Sequence, residues 1–171
     1  MKNSEWGERQ GDALERGECC EVVIVGAAHT DLQLYPVGKD VLDTASYSVK
    51  QMVLTVGGDA LNEATVITRL GHRVRLVSCV GDDVIGSLVL EHCRKNNIGT
   101  EYIKVDSSKV TSINVGLIRE DGERTFINNK SGSIWTFCPE DVEKESVSHG
   151  RILSFASIFN NPLLDEDLMI P

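Results

Sequence analysis

The chain has no surplus of positive charge. Its 17 Lys and Arg stand against 26 Asp and Glu, for a net charge of −9. Nucleic acid, whose phosphates need clustered Lys and Arg, is therefore not an expected partner. No apolar run reaches the length of a membrane-spanning helix, so no membrane partner is expected either. The N-terminus, MKNSEWGERQGDALERGE, lacks the apolar core of a secretory signal, and residues 1–20 read as a loose, disordered tail. The five cysteines (Cys19, Cys20, Cys79, Cys93, Cys138) are odd in number and contain no Cys-x-x-Cys pair. They read as reduced thiols, which places the protein in the cytoplasm. Adjacent Cys19 and Cys20 would suit a metal or redox pair, although packing residues opening a strand are the simpler account. His29, His72, His92 and His149 show no metal-ligand spacing and read as structural, so no metal site is expected within the chain. Also missing are the Gly-x-Gly-x-x-Gly of dinucleotide binding, the Gly-x-x-x-x-Gly-Lys of a P-loop, and the Gly-x-Ser-x-Gly of a serine nucleophile.

What is present is globular: 41% apolar and 25% charged residues in 171, enough for one domain with a sizeable core. CEVVIVG (Cys20 to Gly26) is a β-branched run stopped by glycine, the pattern of a strand buried on both faces in a parallel sheet. Residues 31–56 alternate loosely around a Pro-x-Gly break and suggest two edge-like strands. From Asp59 to Leu70 the apolar residues recur near a 3.6-residue period and Gly71 supplies a stop, which predicts a helix. RVRLVSCVG (Arg73 to Gly81) predicts a second buried strand, and Asp83 to Asn97 a second helix with Lys and Arg in its last turn. Strand, helix, strand, helix is a βαβ rhythm, so the sheet is expected to be mostly parallel and flanked by helices.

The rhythm breaks at Thr111 to Asn129, where two β-branched runs flank EDGE (Glu120 to Glu123), a hairpin signal. Residues 32–55 and 111–129 are thus expected to form a β-strand lid beside the main sheet. A short helix should follow Pro139, Arg151 to Phe159 reads as another core strand, and PLLDEDL (Pro162 to Leu168) looks like the start of a helix. A parallel sheet stopped there would expose an apolar edge, so a truncated chain is expected.

Chemistry gathers around GGDALN, Gly57 to Asn62. Glycines admit positive φ and close approach of a ligand, the helix that follows offers free N–H groups, Asp59 accepts hydrogen bonds, and Asn62 both donates and accepts. Vicinal hydroxyls need both kinds of partner. The alternative is a Gly-Gly turn capped by Asp59 with Asn62 on the surface. Asp31 falls just past the C-terminal end of the first strand, the edge where ligands collect in open α/β sheets, and it could take two hydroxyls or make a local turn. Gly81-Asp82-Asp83 could be an acidic metal pair, although Asp83 as a helix N-cap explains it more cheaply.

The order of these pieces is specific. Asp31 lies beyond a strand ending in Gly26; then come GGDALN, RLG (Arg69 to Gly71), VGDDVIG (Val80 to Gly86), NIGTEYI (Asn97 to Ile103), Thr111 opening a strand, and DGERTF (Asp121 to Phe126). This resembles the N-terminal half of the ribokinase-like (PfkB-type) carbohydrate kinases over roughly residues 21–160. The resemblance implies an α/β fold with a Rossmann-like core and a β-lid, ATP and Mg2+ as cofactors, and transfer of the γ-phosphoryl group to a sugar hydroxyl; separately, exposed lid strands invite pairing with another copy, so homodimers through the lid are expected. It implies sugar contacts at Asp31, Gly57, Gly58 and Asn62, with Asp59 close by and Ile113 from the lid. The family's base and anion hole lie in a Gly-x-Gly-Asp motif of the C-terminal half, which this sequence does not contain. The expectation is a sugar-binding fragment of a kinase without its catalytic residues; the rival is a non-catalytic sugar-binding or lid-mediated interaction protein.

Overall fold

The computed structural model describes residues 14–158 and 161–164. Two four-stranded sheets organise it. The first is wholly parallel, in the order β5 (Gly99–Asp106), β4 (Val74–Gly81), β1 (Cys20–Val25), β8 (Gly150–Phe155). The second runs β3 (Gln51–Gly57), β2 (His29–Tyr35), β6 (Ile113–Ile118), β7 (Arg124–Asn128); β2 pairs parallel with β6 and antiparallel with β3, and β6 pairs antiparallel with β7. Helices α1 (Asp59–Arg69) and α2 (Val84–Lys95) are the crossovers between parallel strands, and α3 (Lys144–Ser148) is a short turn before β8. The expected α/β class with a mostly parallel sheet and a separate β-layer is what forms.

The period of two in β1 and β4 builds a core on each face of the first sheet. Val22, Ile24, Val74, Leu76 and Val80 pack with Ala60, Leu61 and Ala64 of α1 and Val89 and Cys93 of α2. On the other face Val23, Val25, Val77 and Cys79 meet Tyr102, Phe137 and Leu14. Each such aliphatic side chain contributes about 1.5–3 kcal/mol when fully buried. Arg75 lies within this second layer, fully buried, and is matched on every side. Its Nε donates to Glu101 at 2.6 Å, Nη2 to the Glu18 carbonyl at 2.7 Å and Nη1 to the Ser146 carbonyl at 3.2 Å, and its guanidinium lies 4.8 Å from the Tyr102 ring centre. A charge removed from water persists only with such pairing.

Several boundaries differ from expectation. The tail was expected to run to residue 20, but Leu14 is buried in the second core and Arg16 pairs with Glu143 at 2.8 Å, because the far side of the sheet needs covering there. Residues 1–13 lie outside the described residues. Strand β5 was not anticipated: Glu101 and Lys104 interrupt its apolar pattern, and only pairing with β4 places it in the main sheet. The last strand ends at Phe155, short of Phe159. The helix start expected at Pro162 to Leu168 lies outside the described residues beyond 164.

Candidate functional site

β1 leaves the core at its carboxyl end, passes through buried Ala27 and Ala28, and returns as β2. Asp31, expected in the connecting loop, is the third residue of β2, because the turn is only three residues long and strand pairing resumes at His29 opposite Gly57. The register then decides the neighbourhood. Asp31 lies beside Asn114 of β6, and His29, two residues earlier, shares its face. His29 Nε2 is 3.3 Å from Asp31 Oδ1 and 2.8 Å from Asn114 Nδ2. The other carboxylate oxygen, Oδ2, occupies the space where a side chain at Gly57 would stand. A Cβ at Gly57 would collide with this carboxylate, so Asp31 keeps its present orientation only while residue 57 is glycine.

Gly58 follows with φ 103°, and a Cβ there would run into the Ala27 carbonyl. It is the N-cap of α1, which has no side-chain cap. The Leu61 N–H goes to the Ala27 carbonyl at 3.3 Å, so the first-turn N–H groups of Asp59 and Ala60 meet no capping side chain. The alternative of Asp59 as a cap is therefore not what forms. Asp59 and Asn62 are both exposed on that first turn, and Asp59 is near enough to act electrostatically on His29. Burial pushes the His29 imidazole below its ordinary value of 6.5, against the opposing pull of Asp31. Ile113 does not join this group: it pairs with Thr30, and the pleat turns both to the opposite face of the second sheet. Asn114, the next residue, lies on the Asp31 face instead. His29, read from sequence as structural, and Asn114, not singled out, are the residues that sequence reasoning missed; a strand assigned from residue 29 would have put His29 on the Asp31 face.

The other acidic motif is structural. Asp83 caps α2 by accepting from Gly86 N at 2.7 Å, and it also accepts from Thr111 N and Thr111 Oγ1, each at 2.8 Å. Thr111 Oγ1 in turn accepts from Gly81 N at 2.8 Å. Burial raises the Asp83 carboxyl, but these hydrogen bonds outweigh it and hold the group below its usual range. The knot ties the end of β4 to the entry of β6. Among the described residues no three His, Cys, Asp or Glu side chains gather where a metal ion could be held.

Chemically, the mouth of α1 collects acceptor carboxylates (Asp31, Asp59), amides that donate and accept (Asn62, Asn114) and an imidazole, all at the carboxyl edge of a parallel sheet. Such a set offers both the donors and the acceptors that hydroxyl groups bond to. The fold is an α/β protein with a second β-layer beside its parallel sheet, the architecture of ribokinase-like kinases. The chain belongs to the pfkB family of carbohydrate kinases, whose model matches residues 20–169. It is 25% identical over 142 residues to a 5-dehydro-2-deoxygluconokinase of Photobacterium profundum, covering 82% of this chain and 41% of that protein. It is 29% identical over 103 residues to a probable fructokinase-2 of Arabidopsis thaliana, covering 60% of this chain and 31% of that protein. Among solved structures, an uncharacterized sugar kinase from Pyrococcus horikoshii in complex with ATP superposes with a TM-score of 0.67 at 25% identity, over 78% of this chain and 42% of that one. A ribokinase of Arabidopsis thaliana complexed with ribose and ATP also gives 0.67, at 21% identity, over 80% and 45%. The chain spans less than half the length of these relatives.

Proposed function

We propose that this chain is the sugar-binding part of an ATP-dependent kinase that phosphorylates a sugar hydroxyl. Asp31, Gly57, Gly58, Asp59 and Asn62 hold the sugar, Asn114 joins them, and the base and anion hole lie outside residues 1–171. The observation that carries the reading is Asp31, whose carboxylate is seated on Gly57 beside His29 and Asn114 at the uncapped start of α1. A carboxylate taking two hydroxyls makes charge-assisted bonds. ATP as donor is supported by the ATP-bound relatives, and Mg2+ would accompany it; no residue of this chain is assigned to either. The division of labour is supported by the missing Gly-x-Gly-Asp motif. Phosphoryl transfer depends on positioned charge, so a chain without that constellation should show no measurable turnover.

The second sheet acts in this reading as a lid that excludes water from the acceptor hydroxyl. A cavity of about 270 Å³ between Thr30, Leu54 and Val56 of that sheet and Leu88 and His92 of α2 leaves it loosely backed, which suits a moving cover. Its exposed Met52, Leu54, Phe126 and Ile127 suit pairing of lids in a homodimer. The free cysteines suit a reducing compartment, and the cytoplasm is the proposed location.

The test combines calorimetric titration of the chain with D-fructose and D-ribose and an ADP-release assay with each. Binding of one sugar, weakened about tenfold or more in Asp31→Ala, is the expected result. Turnover by the chain alone would place the base within it; no binding of any sugar, with normal folding, would favour the non-catalytic interaction protein.

A further inference from the structure

We propose that His29 is a positioning residue of the sugar site: its neutral imidazole anchors the Asn114 amide and thereby leaves both oxygens of Asp31 to the sugar hydroxyls. The inference rests on the sugar reading for its ligand and on the geometry of one nitrogen for its mechanism. His29 Nε2 faces two groups, Asn114 Nδ2 at 2.8 Å and Asp31 Oδ1 at 3.3 Å. It can satisfy only one of them at a time. An amide nitrogen donates, so Nε2 accepts from Asn114 and the ring proton sits on Nδ1. A proton on Nε2 would turn the ring's hydrogen bond to Asp31, occupy Oδ1, and release Asn114. The imidazole and the sugar thus compete for the same oxygen, and the neutral ring concedes it.

The second observation is Nδ1 itself, buried and with no hydrogen-bond partner among the described residues. A buried donor left unpaired destabilises the fold, and an aliphatic side chain of similar volume would be the better choice for packing alone. The groups that face the ring are Asp31 on its own strand, Asp59 from α1, Asn114 from β6 and the backbone at Gly57 from β3. Both charges among them favour the cation, and burial opposes it. The neutral ring is the form that burial favours at neutral pH.

The experiment compares this chain with His29→Leu, His29→Asn and His29→Gln by calorimetric titration with D-fructose and D-ribose near neutral pH, alongside thermal melts. His29→Leu should lose about tenfold in sugar affinity while melting no lower than the parent, because the unpaired Nδ1 donor goes with the ring. His29→Gln, whose Oε1 can take the place of Nε2 as an acceptor, should stay within about threefold, and the shorter His29→Asn should resemble His29→Leu. Unchanged affinity in His29→Leu, or a lower melting temperature with all three variants equally weakened, would overturn the proposal. Nitrogen-15 spectra of the ring supply a reading independent of sugar. A neutral imidazole protonated at Nδ1, whose Nε2 resonance moves in Asn114→Ala and stays in Asp31→Asn, is expected. A charged ring, or the reverse response, refutes the assignment. If the parent binds neither sugar, the sugar reading fails, and these spectra alone decide the role of His29.

Discussion

Asp83 shows how much of this site's order hangs on single side chains remote from it. One carboxylate accepts from Gly86 N, Thr111 N and Thr111 Oγ1, joining the start of α2 to the residues that lead into β6. Asp83→Ala removes a helix cap and leaves two donors of Thr111 unmatched, so a loss of about 1–2 kcal/mol is expected. Because β6 carries Asn114, sugar affinity should fall as well, although Asp83 touches no site residue. Urea unfolding and calorimetric titration of the variant check both; a melt and an affinity equal to the parent's would show that the knot is incidental. The sequence carried part of this, since an Asp before an apolar period reads as a cap. It could not carry the Thr111 contact, which joins positions 28 residues apart. The same limit hid His29: its role depends on Asn114, 85 residues away, and on strand register.

At the scale of elements, local periodicity made α1, α2, β1 and β4 legible, because each has one pattern dictated by one environment. Strand β5 has mixed exposure along its length and was not legible. The hairpin of β6 and β7 was signalled by its turn, but which face of it meets Asp31 depends on a one-residue register, which sets Asn114 and not Ile113 beside that carboxylate. Both sheets expose apolar side chains. Met52 and Ile127 are 64% and 53% exposed on the outer strands β3 and β7 of the second sheet, and Ile152 is 59% exposed on the edge strand β8 of the first. If the second sheet pairs the lids of two copies, Met52→Lys and Ile127→Lys should shift the chain toward monomer in sedimentation velocity, and Ile152→Lys should leave it unchanged. The opposite pattern would assign association to the β8 edge and remove the lid from the interface.

For the whole molecule, the decisive quantity is its response to acid. His29 and His92 are both pushed below their ordinary value of 6.5, His29 by burial and His92 by burial and by the nearby Arg69. His92 also bonds Thr65 Oγ1 at 2.9 Å; that hydroxyl already donates to the Leu61 carbonyl, so the ring donates from Nε2, and burial together with Arg69 favours its neutral form. Below 6.5 the unfolded chain takes up protons that the folded chain resists. The stability these neutral rings allow is therefore complete above 6.5 and is lost as pH falls toward their folded values. A second loss follows at lower pH. Burial raises the Asp141 carboxyl, but hydrogen bonds from Lys104 and Lys109 outweigh it and hold it at about 2 against an ordinary 3.8. Its contribution is present above 3.8 and disappears between there and about 2. Urea unfolding from about pH 8 to 3 should therefore show two declines, one beginning near 6.5 and one below 4. His29→Leu and His92→Gln together should flatten the first and leave the second; Asp141→Asn should leave the first and reduce the second, to which the hydrogen-bonded Asp83 also contributes. A profile level between about pH 7 and 5 would mean that the rings titrate alike folded and unfolded, and the neutral His29 on which the site's geometry depends would be untenable.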